Sequence, residues 1–387
     1  MPVKILVVDD EPDLEALLRQ KFRRQTREGV YDFVFAHDGE EALAKLKEFP
    51  DVDIILSDIN MPRMDGLTLL QRIKESDILA RAIVVSAYGD MANIRTAMNR
   101  GAFDFLTKPI DFTDLELTLS KTWEQVRVVK EAAKEHGQLE QIRQELRVAS
   151  NIQLAIIPNV FPPFPGRTDF DLHARMIPAK EVGGDFYDYF LIDDKKLGFM
   201  VGDVSGKGVP AAIFMAMSRT LLRATALTGG TAAESLEYVN SILCKEDYAS
   251  MFVTVLYGVV DLNTGIVTMT SAGHEPPFVM RADGNLELLE LPRNLALSID
   301  SPVSFRMGET TLAPGEMIFL YTDGVTEAEN QQQAFFGRER LRHILTGSKD
   351  LSCMDVDQSV LDAVTEFTAG HPQSDDITCL ALRFNGA

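Results

Sequence analysis

The stretch that decides the fold of the first third of the chain is Ile54-Ile55-Leu56-Ser57-Asp58-Ile59-Asn60. Its short apolar run is typical of a strand that is buried on both faces, and it ends at a carboxylate. Four similar runs alternate with amphipathic stretches up to about residue 120, which predicts βα units around a parallel sheet. We therefore predict a doubly wound α/β domain with five strands, at residues 4–8, 33–36, 54–57, 82–86 and 103–107.

Charged residues follow three of these predicted strands. Asp9 and Asp10 close the first strand, Asp58 closes the third, and Lys108 follows the fifth. Because the carboxyl ends of parallel strands meet at one edge of a sheet, these side chains should lie close together. Carboxylates at close range need a cation, and a site with few protein oxygens suits Mg²⁺. The arrangement predicts that Asp58 is the nucleophile toward a phosphoryl donor.

Residues 1–120 resemble the receiver-domain family of two-component response regulators. The motifs that carry the resemblance are Val7-Val8-Asp9-Asp10-Glu11-Pro12, Ser57-Asp58-Ile59-Asn60-Met61-Pro62-Arg63-Met64-Asp65-Gly66, Ser86-Ala87 and Lys108-Pro109. The resemblance implies that Asp58 accepts a phosphoryl group from a histidine kinase. It assigns the Mg²⁺ ion to Asp9, Asp10, Asp58 and the carbonyl of Asn60.

The same resemblance gives roles to three further residues. Ser86 and Lys108 would bind the phosphoryl oxygens, and Phe105 occupies the position of the family's switching aromatic. A role for Phe105 in the hydrophobic core is the alternative, because an aromatic residue on a strand is often a core residue.

A long helix is predicted between residues 121 and 156, which contain no proline and one glycine, Gly137. Apolar residues recur there in steps of three and four, at Val128, Ala132, Leu139, Ile142, Leu146, Ala149 and Ile156. This seam predicts a marginal coiled coil that joins two chains in a homodimer, and the alternative is a connector packed on one domain. Four prolines between Pro158 and Pro165 mark a boundary. The predicted organisation is a receiver domain at 1–120, a helical linker at 121–157 and a second domain at 158–387.

The second domain is predicted to be an α+β sandwich flanked by helices. Strand-like alternation is found at residues 170–176, 197–201, 251–260, 266–271 and 317–321. Helical patterns lie between these runs, at about 209–226, 231–245, 337–346 and 355–368. Long strands with grouped helices favour layers of sheet and helix rather than a parallel α/β fold.

Four acidic motifs stand beside glycines or at predicted strand ends in this half. They are Val182-Gly183-Gly184-Asp185-Phe186-Tyr187-Asp188, Val201-Gly202-Asp203-Val204-Ser205-Gly206-Lys207-Gly208, Tyr321-Thr322-Asp323-Gly324-Val325-Thr326-Glu327 and Ser374-Asp375-Asp376-Ile377-Thr378. Carboxylates without matching histidines or cysteines favour Mg²⁺ or Mn²⁺ over zinc. A pair of such ions suits phosphoester hydrolysis by an activated water, without a covalent protein nucleophile.

These motifs, together with Ser271-Ala272-Gly273-His274-Glu275-Pro276-Pro277, resemble the SpoIIE/RsbU-type bacterial branch of the PPM family of metal-dependent serine/threonine phosphatases over residues 150–385. The resemblance implies two Mn²⁺ or Mg²⁺ ions, with Asp203 bridging both. The remaining ligands implied by position are the Val204 carbonyl, Asp323 and Asp375, with Asp376 as the alternative to Asp375. Asp185 would hold metal-bound water or ligate directly.

Substrate handling departs from the family pattern. Glu275 stands where the branch commonly has asparagine, and no residue matches the arginine with which eukaryotic relatives bind phosphate. Lys207 or Lys180 would supply positive charge there, and the alternative for both is a solvated surface lysine. His274 is more typical of a structural loop residue than of a catalytic one.

Composition excludes some classes of function. The 387 residues carry a formal net charge of -20, which argues against nucleic-acid and anionic-membrane binding. The three cysteines, Cys244, Cys353 and Cys379, have no paired spacing, as expected in a reducing compartment. The apolar run at the start is cut off by Asp9 and Asp10, so neither a signal peptide nor a membrane span is expected. A cytoplasmic location is predicted.

The two resemblances together predict a receiver that controls a phosphatase. Phosphorylation of Asp58 would change the activity of the second domain toward a phosphoserine or phosphothreonine of a STAS-type anti-sigma-factor antagonist in a partner-switching pathway. The alternative is an adaptor that has lost catalysis and binds a sigma-related partner, but such a domain should lack the metal carboxylates. A DNA-binding regulator would need a basic output domain, and the acidic second half offers none.

Overall fold

The computed structural model describes residues 2–76, 78–87, 90–245 and 251–386. The chain divides into two compact units, residues 1–142 and 143–387. The division falls within the segment 121–157 that was predicted as a linker.

The first unit contains a parallel sheet whose strands end at the predicted acids. Its strands are β1 (Val3–Val8), β2 (Tyr31–Ala36), β3 (Ile54–Asp58), β4 (Arg81–Ala87) and β5 (Asp104–Lys108). They are ordered β2-β1-β3-β4-β5, and every pairing is parallel. β3 is buried along its whole length, as its continuous apolar run predicts. The expected five-stranded parallel sheet is confirmed.

Helices follow the strands of this unit. They are α1 (Pro12–Lys21), α2 (Arg23–Arg27), α3 (Gly39–Glu48), α4 (Gly66–Lys74) and α5 (Met91–Arg100). The carboxylates of Asp38, Asp65 and Asp90 accept backbone N–H groups at the starts of α3, α4 and α5, which fixes where these helices begin. Two separate apolar clusters contain residues of the central strands, which makes the fold doubly wound.

One long helix, α6 (Phe112–Ile156), contains the division between the units. It begins at Phe112 rather than at residue 121, because the last receiver helix continues without a break into the predicted linker. Leu115, Leu119 and Val126 are buried in the first unit. The helix ends before Pro158, which has no N–H for a helical hydrogen bond.

The second unit is built on two antiparallel sheets. Its strands are β6 (Phe170–Ile177), β7 (Phe186–Asp193), β8 (Lys196–Val204), β9 (Val253–Asp261), β10 (Ile266–Ala272), β11 (Phe278–Met280), β12 (Leu286–Leu288), β13 (Gly308–Thr311), β14 (Met317–Tyr321) and β15 (Ile377–Phe384). One sheet has the order β13-β10-β9-β8-β7 and the other has the order β12-β11-β14-β15-β6. The predicted sandwich is confirmed, with β7 and β15 as long strands that the sequence patterns did not predict.

Helices cover the two sheets of this unit. They are α7 (Val209–Ala226), α8 (Ala232–Leu243), α9 (Asp323–Thr326), α10 (Arg338–Thr346) and α11 (Cys353–Thr368). The larger apolar cluster joins residues of both sheets to α7 and α8, and a second cluster joins α10 and α11 to β14 and β15. The last helix starts two residues before its predicted start because Ser352 caps it. Among the described residues, no helix combines the length and the apolar character needed to cross a membrane.

Candidate functional sites

The acids of the first unit converge at the carboxyl edge of its sheet. Asp9 and Asp10 follow β1 and Asp58 ends β3, and each offers a carboxylate oxygen within 4.8 Å of the others. Asp9 and Asp58 are buried, whereas Asp10 is exposed. Within the described residues this is the only group of three or more potential ligands at such close spacing. Oxygen ligands of this kind fit a hard cation such as Mg²⁺.

Lys108 places a positive charge inside this group. Its Nζ lies 2.6 Å from Asp58 Oδ2 and 3.0 Å from Asp9 Oδ2. Glu11, which the sequence analysis did not single out, accepts a third contact at 3.1 Å. Burial disfavours the charge on Lys108, but the three hydrogen bonds outweigh it and raise the pKa of the ammonium. Burial also raises the pKa of Asp9.

The other residues assigned to the receiver site lie around this group. Ser86 is buried, and its hydroxyl lies 3.4 Å from Asp90 Oδ2 rather than on Asp58. The backbone N–H of Asn60 donates to Asp58 Oδ1 at 3.1 Å. Phe105 is 37% exposed, so it lies outside the core of the unit.

The acid group of the second unit consists of Asp185, Asp203, Asp323 and Asp375. Asp185 is buried, and the other three are partly exposed. Asp185 Oδ2 accepts hydrogen bonds from the hydroxyls of Thr322 at 2.8 Å and Thr378 at 2.6 Å. Thr322 directly follows β14 and Thr378 lies on β15, so Asp185, which precedes β7 of one sheet, is held by residues of the other sheet. Both were missed as site residues, although they lie within the quoted motifs. Burial and the neighbouring Asp203 raise the pKa of Asp185 well above its usual range.

Asp203, near the end of β8, approaches Asp185 closely enough for their carboxyl groups to hydrogen-bond. Burial and the charges of Asp323 and Asp375 raise the pKa of Asp203 to about 7. The adjacent Val204 carbonyl faces Gly184, where an added Cβ would stand 2.9 Å from the oxygen. Glycine is therefore needed at residue 184 for the two motifs to approach each other.

Asp323 is the first residue of α9 and is partly exposed. Burial, followed by the charges of Glu327 and Asp375, raises the pKa of Asp323 to about 6. Asp375 is also partly exposed, and its Oδ2 lies 2.9 Å from Lys207 Nζ. The lysine also donates to the carbonyl of Ser374 at 2.5 Å. The structure thus brings Asp203, Asp323 and Asp375 together on the open side of Asp185.

Asp376 has different partners from its neighbour Asp375. Its Oδ1 accepts the backbone N–H of Ala179 at 2.7 Å, and its Oδ2 accepts those of Gly184 at 2.6 Å and Asp185 at 3.3 Å. Three amide donors are the partners expected of a carboxylate that positions a loop. This observation favours Asp375 over Asp376 as the metal ligand of the last motif.

Two further residues of the sequence motifs, His274 and Glu275, have partners in the structure. His274 contacts the Thr254 hydroxyl at 2.9 Å and the Tyr321 carbonyl at 3.2 Å, and burial lowers its pKa to about 4. It is therefore a neutral residue of the loop. Glu275 accepts a hydrogen bond from Arg338 Nη2 at 2.7 Å. No sequence signal pointed to Arg338, which lies 63 positions away from its partner.

The donor set of the second unit fits divalent metal ions. It consists of carboxylate and carbonyl oxygens, and burial together with neighbouring negative charges raises the pKa values of Asp185, Asp203 and Asp323. Their spacing is wider than that of the receiver acids. Metals at this site would favour the charged carboxylates and relieve the repulsion between them.

Two family models match the chain, the response regulator receiver domain over residues 5–120 and stage II sporulation protein E (SpoIIE) over residues 193–385. The phosphoserine phosphatase RsbU of Bacillus subtilis is 28% identical over 247 residues, which are 64% of this chain and 72% of RsbU. Protein IcfG of Synechocystis is 32% identical over 274 residues, and these cover 63% of this chain and 42% of IcfG.

A solved structure extends the similarity to the fold of the second unit. The SiaA-PP2C domain of Pseudomonas aeruginosa superposes with a TM-score of 0.57 at 25% identity. The match covers 64% of this chain and 98% of that domain. The chain therefore belongs to the response regulators, and it joins a receiver domain to a SpoIIE-type domain of the PPM phosphatase family.

Proposed function

We propose that the chain is a Mg²⁺- or Mn²⁺-dependent phosphoserine/phosphothreonine protein phosphatase whose activity is controlled by phosphorylation of Asp58. The observation that carries the proposal is the convergence of Asp185, Asp203, Asp323 and Asp375 from four separate segments. An adaptor that had lost catalysis would have no reason to keep these mutually repelling carboxylates. Similarity to RsbU supports phosphoserine as a substrate.

The residues of the second unit hold the site in place. Bound Mn²⁺ or Mg²⁺ would lower the pKa of a water molecule and screen the charge of the phosphate. Asp203 and the Val204 carbonyl, with Asp323 and Asp375, are the proposed ligands. Thr322 and Thr378 fix Asp185, which is proposed to bind a metal directly or through water.

The receiver would accept the phosphoryl group of a phosphorylated histidine kinase on an Asp58 oxygen. Asp9, Asp10, Asp58 and the Asn60 carbonyl are proposed to hold Mg²⁺ there. Lys108, whose Nζ lies 2.6 Å from Asp58 Oδ2, is proposed to bind the incoming phosphoryl oxygens. Ser86 would have to exchange its contact with Asp90 for the phosphoryl group.

Helix α6 offers a route for control, because each of its ends is attached to one unit. In the first unit Lys130 Nζ donates to Asp53 Oδ1 at 2.6 Å. In the second unit the amide of Gln153 makes two hydrogen bonds with the backbone of Gly183, at 2.5 and 3.0 Å. Gly183 is two residues from Asp185, so a displacement of the helix would act on the metal loop. Allosteric control requires a contact that differs between two states of the protein. The contact between Gln153 and Gly183 is the proposed one.

Helix α6 also supports the predicted homodimer. Val128, Leu139 and Ile142 are more than half exposed, as a seam that awaits a second helix would be. The proposal predicts a dimer mass by light scattering in at least one phosphorylation state. A monomer before and after phosphorylation would exclude it.

The physiological substrate is proposed to be a phosphorylated STAS-type anti-sigma-factor antagonist, as the resemblance to the SpoIIE/RsbU-type branch implies. Incubation with such a phosphoprotein and Mn²⁺ should release inorganic phosphate. Release from unrelated phosphoproteins at the same rate would count against this substrate class.

The decisive experiment is hydrolysis of p-nitrophenyl phosphate by the full chain with Mn²⁺. Asp203→Asn should abolish turnover, whereas Asp283→Asn, which changes an exposed aspartate of the same unit, should not. Treatment with beryllofluoride should change the rate in wild type but not in Asp58→Asn. An absence of metal-dependent hydrolysis in every state would support the adaptor instead.

Gln153→Ala tests the route through the helix. It should weaken the response to beryllofluoride, because the contact between α6 and Gly183 is lost, while some Mn²⁺-dependent hydrolysis remains. Gln138→Ala, an exposed glutamine on the same helix, is the control. An unchanged response in Gln153→Ala would exclude this contact as the route.

A further inference from the structure

Arg338 lies at the start of α10, beside the turn that carries Asp323. The backbone N–H of the preceding Gly337 donates to the carbonyl of Thr326 at 2.8 Å. Thr326 is the last residue of α9, whose first residue is Asp323. The start of α10 is thus attached by the backbone to the short helix of the metal site.

The guanidinium of Arg338 stands on the rim of the acid group. Its Nη2 donates to Glu275 Oε2 at 2.7 Å, and the two side chains are 45% and 32% exposed. It also lies within electrostatic range of the hydroxyl of Tyr321, two residues before Asp323. His274, which precedes Glu275, lies 3.2 Å from the carbonyl of Tyr321, two residues before Asp323, so the pair is attached to the segment that carries this acid.

Glu275 itself is held in place by its loop. The preceding His274 donates its Nε2–H to the Tyr321 carbonyl at 3.2 Å, and its backbone N–H donates to Ser271 Oγ at 3.1 Å. The carboxylate therefore cannot follow Arg338 far if the guanidinium moves toward a ligand. A half-exposed arginine and a fixed carboxylate form a weak ion pair, and an anion that binds the guanidinium more strongly can displace the carboxylate.

The two cationic side chains near the acid group, Lys207 and Arg338, differ in which carboxylate they would have to leave in order to bind a phosphate. Lys207 pairs with Asp375, a proposed metal ligand, so its displacement belongs to metal binding. Arg338 pairs with Glu275, which is outside the proposed ligand set, so it is free to change partners while the metals stay bound. A planar guanidinium also matches two phosphate oxygens at once, which an ammonium does not.

We propose that Arg338 binds the phosphoryl group of the substrate, and that Glu275 holds the guanidinium at the rim until the phosphate replaces it. The inference rests on the proposed phosphatase function and adds the residue that recognises the phosphate. Glu275 then acts as an internal competitor of the phosphoryl group. Its removal should strengthen phosphate binding, and removal of Arg338 should weaken it.

The test uses inorganic phosphate as the probe on the Mn²⁺-loaded full chain. Its dissociation constant is measured by calorimetry, and its inhibition constant is measured against p-nitrophenyl phosphate. Arg338→Ala should raise both constants and the KM about tenfold, while kcat falls less than threefold, since a charged hydrogen bond contributes about this much to affinity. Arg338→Lys should recover part of the loss, and Glu275→Gln should lower both constants about threefold.

Arg175→Ala is the control, because Arg175 is an exposed arginine of the same unit with a single hydrogen bond to Gln358. Equal phosphate affinity in wild type, Arg338→Ala and Glu275→Gln would overturn the inference. The Glu275→Gln arm keeps the test open if Arg338→Ala does not fold. If wild type bound phosphate with Mn²⁺ but hydrolysed nothing, the phosphatase proposal would fail, while the calorimetric comparison would still decide the role of Arg338.

Discussion

The two acid sites of this chain solve the same electrostatic problem in different ways. In the receiver, Asp9, Asp10 and Asp58 come from one edge of one sheet, and Lys108 is hydrogen-bonded among them. In the phosphatase domain, Asp185 precedes β7 and Asp203 lies on β8 of one sheet, whereas Asp323 and Asp375 flank strands of the other.

The difference lies in what compensates the charge. Lys108 is a covalent part of the receiver, so that site has a resident cation of its own. In the phosphatase domain, burial and the charges of neighbouring acids instead raise the pKa values, to about 7 for Asp203 and about 6 for Asp323. Protons on carboxylates are a poor substitute for a divalent ion, so the phosphatase site should depend more strongly on metal than the receiver site does.

The largest expected effect separates the neighbours Asp375 and Asp376. Asp375→Ala should lower Mn²⁺-dependent turnover about a hundredfold or more with little change in folding, because it removes a proposed ligand. Asp376→Ala should cost about 3 kcal/mol of unfolding free energy, because three backbone amides lose their acceptor. Turnover and chemical denaturation of both variants measure this. A stable, metal-deficient Asp376→Ala would reverse the assignment.

In the receiver, Lys108→Met should lower the unfolding free energy by about 2 kcal/mol without Mg²⁺, because partly buried acids lose their cation. Mg²⁺ should restore part of the loss. Lys121→Met is the matched control, since Lys121 is 64% exposed and its pair with Asp104 contributes little. Equal stability of the two variants in chelator would show that Lys108 does not compensate the acids. Urea denaturation with and without Mg²⁺ gives the values.

In the phosphatase domain, chelated protein should lose stability as the pH rises from about 4 to about 7. Asp203 has its pKa raised from 3.8 to about 7 on folding, so the folded state binds more protons than the unfolded state in this window. Asp203→Asn cannot ionise and should be more stable than wild type at pH 8 by about 2 kcal/mol, less than the full shift implies because the site is partly open. Thermal unfolding in chelator at pH 5 and pH 8 tests this. Mn²⁺ should remove the advantage of the variant.

The smallest expected effect concerns the second lysine. Lys207→Met should raise the affinity for Mn²⁺ about threefold, because Lys207 occupies Asp375 Oδ2 in competition with the ion. Lys180→Met should leave it unchanged, since Lys180 is exposed. Titration of Mn²⁺ by calorimetry compares the two. Weaker metal binding in Lys207→Met would mean that the lysine orients Asp375 rather than competing for it.

The parts that sequence patterns predicted are those governed by neighbouring residues. The apolar run that ends at Asp58 predicted β3, and the helical pattern at 209–226 matches α7. The strand β7 was missed because Asp188 interrupts its apolar pattern. That carboxylate is buried and pairs with Arg219 at 2.8 Å and Arg223 at 2.6 Å, residues that follow it by more than thirty positions. β15 was missed because both of its faces are buried and no alternation remains.

Local sequence is sufficient to place each acid at the end of its strand or beside a glycine, because strand propensity and turn formation act over a few residues. It does not show that Thr322 and Thr378 hold Asp185, that Gln153 binds the backbone of Gly183, or that Arg338 pairs with Glu275. Those contacts join segments far apart in the chain. Their formation depends on how the sheets and helices pack, and the strength of a charge or hydrogen bond depends on distance in space rather than on separation in sequence.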